Sequence, residues 1–145
     1  GRNDWRYARY AWGMMRHYVN NGANAYDYWN LSLDAGGVSR WGWSQNSFVT
    51  VDPATHEYTF NHEYYVFKHL SHFVQPGARF VRTLSYTGYE NILSFVNPDG
   101  SIVIAAQNDM SVPMPISFAA KGKIIEATLP ADSFSTFAVP AELLA

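Results

Sequence analysis

Residues 26–52, YDYWNLSLDAGGVSRWGWSQNSFVTVD, carry three tryptophans (Trp29, Trp41 and Trp43) among acidic and amide side chains. That pairing suits a sugar. An indole packs on the apolar C–H face of a pyranose, and carboxylates and amides bond its hydroxyls. In an extended chain, Asp27 and Trp29 point to one face while Tyr26, Tyr28 and Asn30 point to the other. Trp41 and Trp43 fall in the following loop. The competing reading for any one tryptophan is core packing, because large aromatics dominate interiors. Three of them around a glycine-rich loop favour a ligand surface.

Other chemistries find less support. Asp27 and Asp34 are the carboxylates nearest the tryptophans, and general acid–base work needs a placed pair with matched pKa values. Asp27 is expected to orient a hydroxyl or a neighbouring side chain, and Asp34 to serve a turn. His62, His69 and His72 share part of one helical face, with a ligand-like spacing at His69-x-x-His72. A zinc site also needs a third ligand, an open position for catalysis and outer partners. The sequence offers no such set, so neither metal nor cofactor is expected. Cysteine is absent, which removes thiolate sites and disulfides.

The elements that must position these residues fall into two textures. Over residues 4–20, Trp5, Ala8, Trp12, Met15 and Val19 recur at helical spacing, with Asp4 as a cap and Asn21-Gly22 as a stop. Residues 23–33 read as a strand that ends in the turn Asp34-Ala35-Gly36-Gly37. Residues 47–51 read as another, joined through the turn DPATHEY to a short one at 58–60. Asn61 is expected to cap a helix over 62–74, stopped by Pro76-Gly77. From Ala78 the runs ARFVRTLSYTG, ENILSFVNPDG, SIVIAAQND, MPISFAA, GKIIEATLPA and SFSTFAVP predict six strands of a small antiparallel sandwich. Asn97-Pro98-Asp99-Gly100 is a strong hairpin signal.

Composition is consistent with this. The chain has 145 residues, 48% hydrophobic and 15% charged, with net charge -2. It is long enough for a real core and too weakly charged for a basic nucleic-acid binder. No apolar run approaches the roughly 20 residues of a membrane helix.

AYDYWNLSLD, GGVSRWGWSQNSFVTVD and YVFKHLSHFVQPGARFV, in this order and at these intervals, resemble the closing part of glycoside hydrolase family 30, the glucosylceramidase-like family. The resemblance covers nearly the whole chain. It implies a fold class of α/β barrel remnant joined to an antiparallel β-sandwich: residues 1–76 as the last part of a (β/α)8 catalytic barrel and 77–145 as the sandwich. It implies a retaining β-glycosidase whose two catalytic glutamates, set about 5–5.5 Å apart in such enzymes, lie upstream of this segment, which then holds no catalytic residue and needs the rest of the barrel. Trp29 matches the family's eighth-strand tryptophan at the barrel's C-terminal face, where such enzymes place their sites. The candidate substrate-binding residues are therefore Trp29, Asp27, Asn30, Trp41, Trp43 and Gln45. The expected partner is a β-linked glucoside or glucan or a glycosphingolipid-like substrate. Endo-β-1,6-glucanase or β-xylosidase action stands as an alternative within the family, and a non-catalytic sugar-binding or structural sandwich module outside it. A secreted, extracellular or periplasmic protein is expected, and charge and hydropathy speak against nucleic acid and a membrane span.

Overall fold

The computed structural model describes residues 3–145. The chain forms two compact units, one running to Lys68 and the other starting at His69. Among the described residues most of the regular structure is β, with two α-helices.

In the front unit, helix α1 spans Trp5–Asn20. Its start is fixed by the Asp4 carboxylate, which accepts the Tyr7 N–H at 2.8 Å and satisfies one of the orphan donors of the first turn. Its apolar stripe buries Ala8, Ala11, Trp12 and Met15. At the other end the Asn21 N–H bonds the carbonyls of His17 and Tyr18, and Gly22 takes a positive φ of 95°.

The strand expected over residues 23–33 is much shorter. Only β1, Ser32–Asp34, joins a ladder, pairing in parallel with β2, Val49–Val51. β2 in turn pairs antiparallel with β3, Tyr58–Phe60. Upstream of β1 the Phe48 N–H bonds Asn30 O at 3.2 Å and the Val49 N–H bonds Leu31 O at 3.0 Å. Aromatic, alternating sequence is not enough to make a strand where no neighbour offers a continuous row of donors and acceptors. The alternation itself survives: Asp27 and Trp29 are exposed, while Tyr26, Tyr28 and Asn30 are half-buried. Tyr28 stacks on Phe48 at 4.6 Å, and both rings meet Phe67.

Helix α2, His62–Ser71, runs across the division between the units. It ends three residues earlier than the pattern suggests, in a final turn where the Phe73 and Val74 N–H groups share the Leu70 carbonyl. Asn61, expected as its cap, bonds Ser47 and Thr50 through its amide and gives its carbonyl to the Tyr64 N–H. In the back unit the Pro76-Gly77 stop is a tight turn, with the Ala78 N–H on the Gln75 carbonyl at 3.0 Å and Gly77 at φ 86°.

All six back-unit strands form. They are β4 (Arg79–Val81), β5 (Ile92–Val96), β6 (Ile102–Asn108), β7 (Met114–Ala120), β8 (Lys123–Leu129) and β9 (Ser133–Val139). One antiparallel sheet has the order β4-β5-β6-β9, and β7 and β8 make a separate antiparallel pair. The core lies between them, where Ile92, Ile102, Ile104 and Ala106 meet Phe118, Leu129 and Leu144. Every residue of β6 is buried, which explains the apolar run from Ile102 to Ala106, and the polar Gln107 and Asn108 continue the strand in the interior. The hairpin at Asn97-Pro98-Asp99-Gly100 closes through Gly100 N–H to Asn97 O at 2.9 Å, with Gly100 at φ 84°.

Candidate sugar-binding cleft

The front unit contains an open cleft of about 680 Å³. One side is the first half of α1, with Asp4, Arg6, Tyr7 and Tyr10. The other is built by Trp29 and Asn30 before β1 and by Ser44, Gln45 and Asn46 before β2. Trp29 is 80% exposed. A large apolar ring so open to water costs stability unless something covers it, and here it faces hydrogen-bonding side chains. The Trp29–Asn30 peptide is cis.

An amide network holds this wall. The Asn30 amide donates to Asn46 O at 3.1 Å, Asn46 Oδ1 accepts the Asn3 N–H at 3.1 Å, and Asn3 Oδ1 accepts the Ser47 N–H at 2.9 Å. Asn46 and Ser47 are buried, so these bonds satisfy groups that water cannot reach. Asn30 thus lines the cleft while its own amide is committed to the framework. Gln45 is anchored through its backbone: its N–H bonds Gly37 O at 2.7 Å. Gly37, at φ 55°, lies so close that a Cβ there would fall 2.5 Å from the Gln45 carbonyl oxygen. Only glycine fits.

Of the six candidates, Trp29, Asn30 and Gln45 come together in the cleft. Asp27 is exposed outside its lining, and Trp41 and Trp43 stand on the neighbouring loop. The cleft also uses Asp4, Arg6, Tyr7, Tyr10, Ser44 and Asn46, which sequence reasoning did not select. One signal was available for two of them. Tyr7 and Tyr10 sit three apart on the polar side of an amphipathic helix, and their rings meet at 5.5 Å. Exposed aromatics there have no core to fill.

The cleft's chemistry is neutral and hydroxyl-seeking. Its lining has one acid, Asp4, and one base, Arg6, together with tyrosine hydroxyls, amides and an open indole. The Asp4 carboxylate already caps α1. A retaining glycosidase needs two facing carboxyls, and the lining among the described residues supplies one. The histidines go elsewhere. His62 meets the Trp5 ring edge-on at 5.4 Å, His72 meets Phe73, and His69 Nδ1 bonds the Thr136 hydroxyl at 2.9 Å. Burial lowers the His69 pKa, which favours the neutral ring.

Glu63, in the first turn of α2, is fully buried, and neither carboxylate oxygen bonds another residue, its own backbone N–H only partly offsetting the burial. Desolvation, with a smaller contribution from the charge of Asp4, raises its pKa. Desolvation foremost, and then the charge of Glu63, pushes the Tyr28 hydroxyl far above its usual range. No helix is long and apolar enough to cross a membrane among the described residues.

Comparison with known proteins agrees with the motifs. The family model described as the glycosyl hydrolase family 30 beta sandwich domain matches residues 78–137, from just before β4 into β9. Residues 78–137 are thus similar to the C-terminal sandwich domain of glycosyl hydrolase family 30. SrfJ from Salmonella typhimurium is similar in structure, with a TM-score of 0.86 and 27% identity over 94% of this chain and 31% of that one. The endo-beta1,6-glucanase BT3312 superposes with a TM-score of 0.75 at 24% identity, over 86% of this chain and 29% of its own. The catalytic domain of GH30 xylanase C from Talaromyces cellulolyticus gives 0.54 at 22% identity, over 64% and 27%. The chain therefore spans less than a third of each of these structures. No curated protein sequence matches it.

Proposed function

We propose that this chain is the C-terminal part of a retaining β-glycoside hydrolase of the glucosylceramidase/β-glucosidase type, with residues 1–76 closing the catalytic barrel and 77–145 forming its sandwich. The cleft at Trp29 is the sugar-contacting wall, and both catalytic glutamates come from sequence upstream. One observation carries this reading: an 80% exposed indole faces a neutral, amide-lined cleft in a chain whose other unit carries the family 30 sandwich. The front unit opens with α1 ahead of β1 and reaches α2 after the short β2–β3 pair, and its helix-then-strand start suits a closing barrel section. We place the protein outside the cytoplasm, as a secreted or periplasmic glycosidase, on the family resemblance alone.

The test uses the chain and the full-length protein side by side, with aryl β-glucosides and β-xylosides. The chain alone should give background rates. The full-length protein should hydrolyse the glucoside and release glucose first as the β-anomer, read by proton NMR, as a double displacement requires. Release as the α-anomer would refute retention. Turnover by the chain alone, abolished by Asp27→Asn, would move the chemistry into this segment. Sugar binding without turnover at full length would favour the non-catalytic module, and faster xyloside or endo-glucan turnover the other family activities.

A further inference from the structure

Trp41 and Trp43 lie outside the lining of the cleft, yet both are 66% exposed. Their loop is firmly built. Ser39 Oγ accepts the N–H groups of both, at 3.3 and 3.2 Å, and the Ser39 N–H donates to Trp43 O at 2.9 Å. Gly42, at φ 78°, closes the turn with its N–H on Ser39 O at 2.8 Å, and a bridge between Val38 and Ser44 closes the base. The ring centroids are 5.9 Å apart at an interplanar angle of 36°, and the Arg40 guanidinium lies 4.9 Å from the Trp41 ring.

A loop that fixes two indoles in water, with donors beside them, is pre-organised for a ligand that has both flat apolar faces and hydroxyls. The loop also leads straight into the cleft, since Ser44, Gln45 and Asn46 follow Trp43 and line it. We propose that Trp41 and Trp43 form a second sugar platform, which takes the further units of a β-linked oligosaccharide whose first unit sits at Trp29. Arg40 supplies N–H donors to hydroxyls at the edge of that platform. The inference rests on the sugar reading of the cleft and narrows its substrate to a glycan of several units.

The test is an NMR titration of the chain with 15N-labelled indoles, using methyl β-D-glucoside and a β-1,6-linked glucotetraose as probes. The monosaccharide should move the Trp29 indole alone, and the tetrasaccharide should move Trp29, Trp41 and Trp43 together. Trp41→Ala and Trp43→Ala should each weaken tetrasaccharide binding about 5- to 10-fold, the effect of losing one good aromatic contact, and leave the monosaccharide unchanged. Ser39→Ala, which keeps both rings and frees the loop, should weaken only the tetrasaccharide. Tetrasaccharide shifts at Trp29 without shifts at Trp41 and Trp43 would overturn this inference and spare the cleft. No shift at any indole would overturn both. Shifts at Trp41 and Trp43 with phosphatidylcholine vesicles and none with the tetrasaccharide would assign the loop to lipid instead.

Discussion

The backbone N–H of Asn3 donates to Asn46 Oδ1 at 3.1 Å, joining positions 43 residues apart. The bond ties the start of α1, one side of the cleft, to the segment before β2 on the other. Asn46 is buried, so replacing it by alanine strands the Asn3 donor. Asn46→Ala should destabilise the front unit by about 1–3 kcal/mol, the usual cost of an orphaned buried group. Urea unfolding followed by tryptophan fluorescence measures this, and an unchanged midpoint would show that the bond contributes little.

Gly37 gives a sharper prediction for the loop. At φ 55° and with the Gln45 carbonyl 2.5 Å from any added Cβ, Gly37→Ala must displace the backbone that carries Gln45. Sugar binding at Trp29 should weaken about 10-fold or more through misplacement, while the back unit keeps its melting behaviour. Indole NMR reads the binding, and backbone amide signals of residues 69–145 followed through melting read the back unit, which holds no tryptophan.

Two buried titratable groups should give stability opposite pH dependences. The Glu63 pKa is raised in the folded state, so the folded chain holds this proton more tightly than the unfolded one. Its contribution is complete below the ordinary carboxylate value of 4.5 and is lost as pH climbs through the raised value. His69 is the reverse: its pKa is lowered from 6.5, so its contribution is present above that value and is lost as pH falls through the lowered one. Glu63→Gln should therefore flatten the alkaline side of a plot of melting temperature against pH, and His69→Gln the acid side. Curves parallel to the parent would contradict both assignments.

The back unit was largely legible in the sequence because its strands supply their own partners. β5 and β6, like β7 and β8, pair across short turns, β9 returns to pair with β6, and Gly100 and Gly77 sit at positive φ where the turns required them. Residues 23–31 were not legible in the same way. Alternation at Asp27, Trp29 and Asn30 correctly separated exposed from half-buried side chains, but pairing depends on partners that alternation does not specify. The same limit hid the α1 side of the cleft. Trp29, Asn30 and Gln45 announced themselves by type, whereas Arg6, Tyr7 and Tyr10 became part of the site only because α1 lies beside them.

Leu129 tests the sandwich core. It is 1% exposed and packs with Phe118 and Ile104 between the two sheets. Leu129→Ala should cost about 2–5 kcal/mol, through lost burial and the cavity left behind. A loss under about 1 kcal/mol by calorimetry would mean that the two sheets do not share a tight core.

The central claim is that the exposed face of Trp29 is a sugar-contacting surface of a family 30 glycosidase, and kinetics of Trp29→Ala in the full-length protein test it most directly. With an aryl β-glucoside, kcat/KM should fall about 10-fold or more while the circular dichroism spectrum and melting temperature stay those of the parent, since lost stacking and misplacement remove transition-state binding and not fold stability. Unchanged kcat/KM in a folded variant would contradict the account and leave Trp29 as an exposed ring with no part in binding.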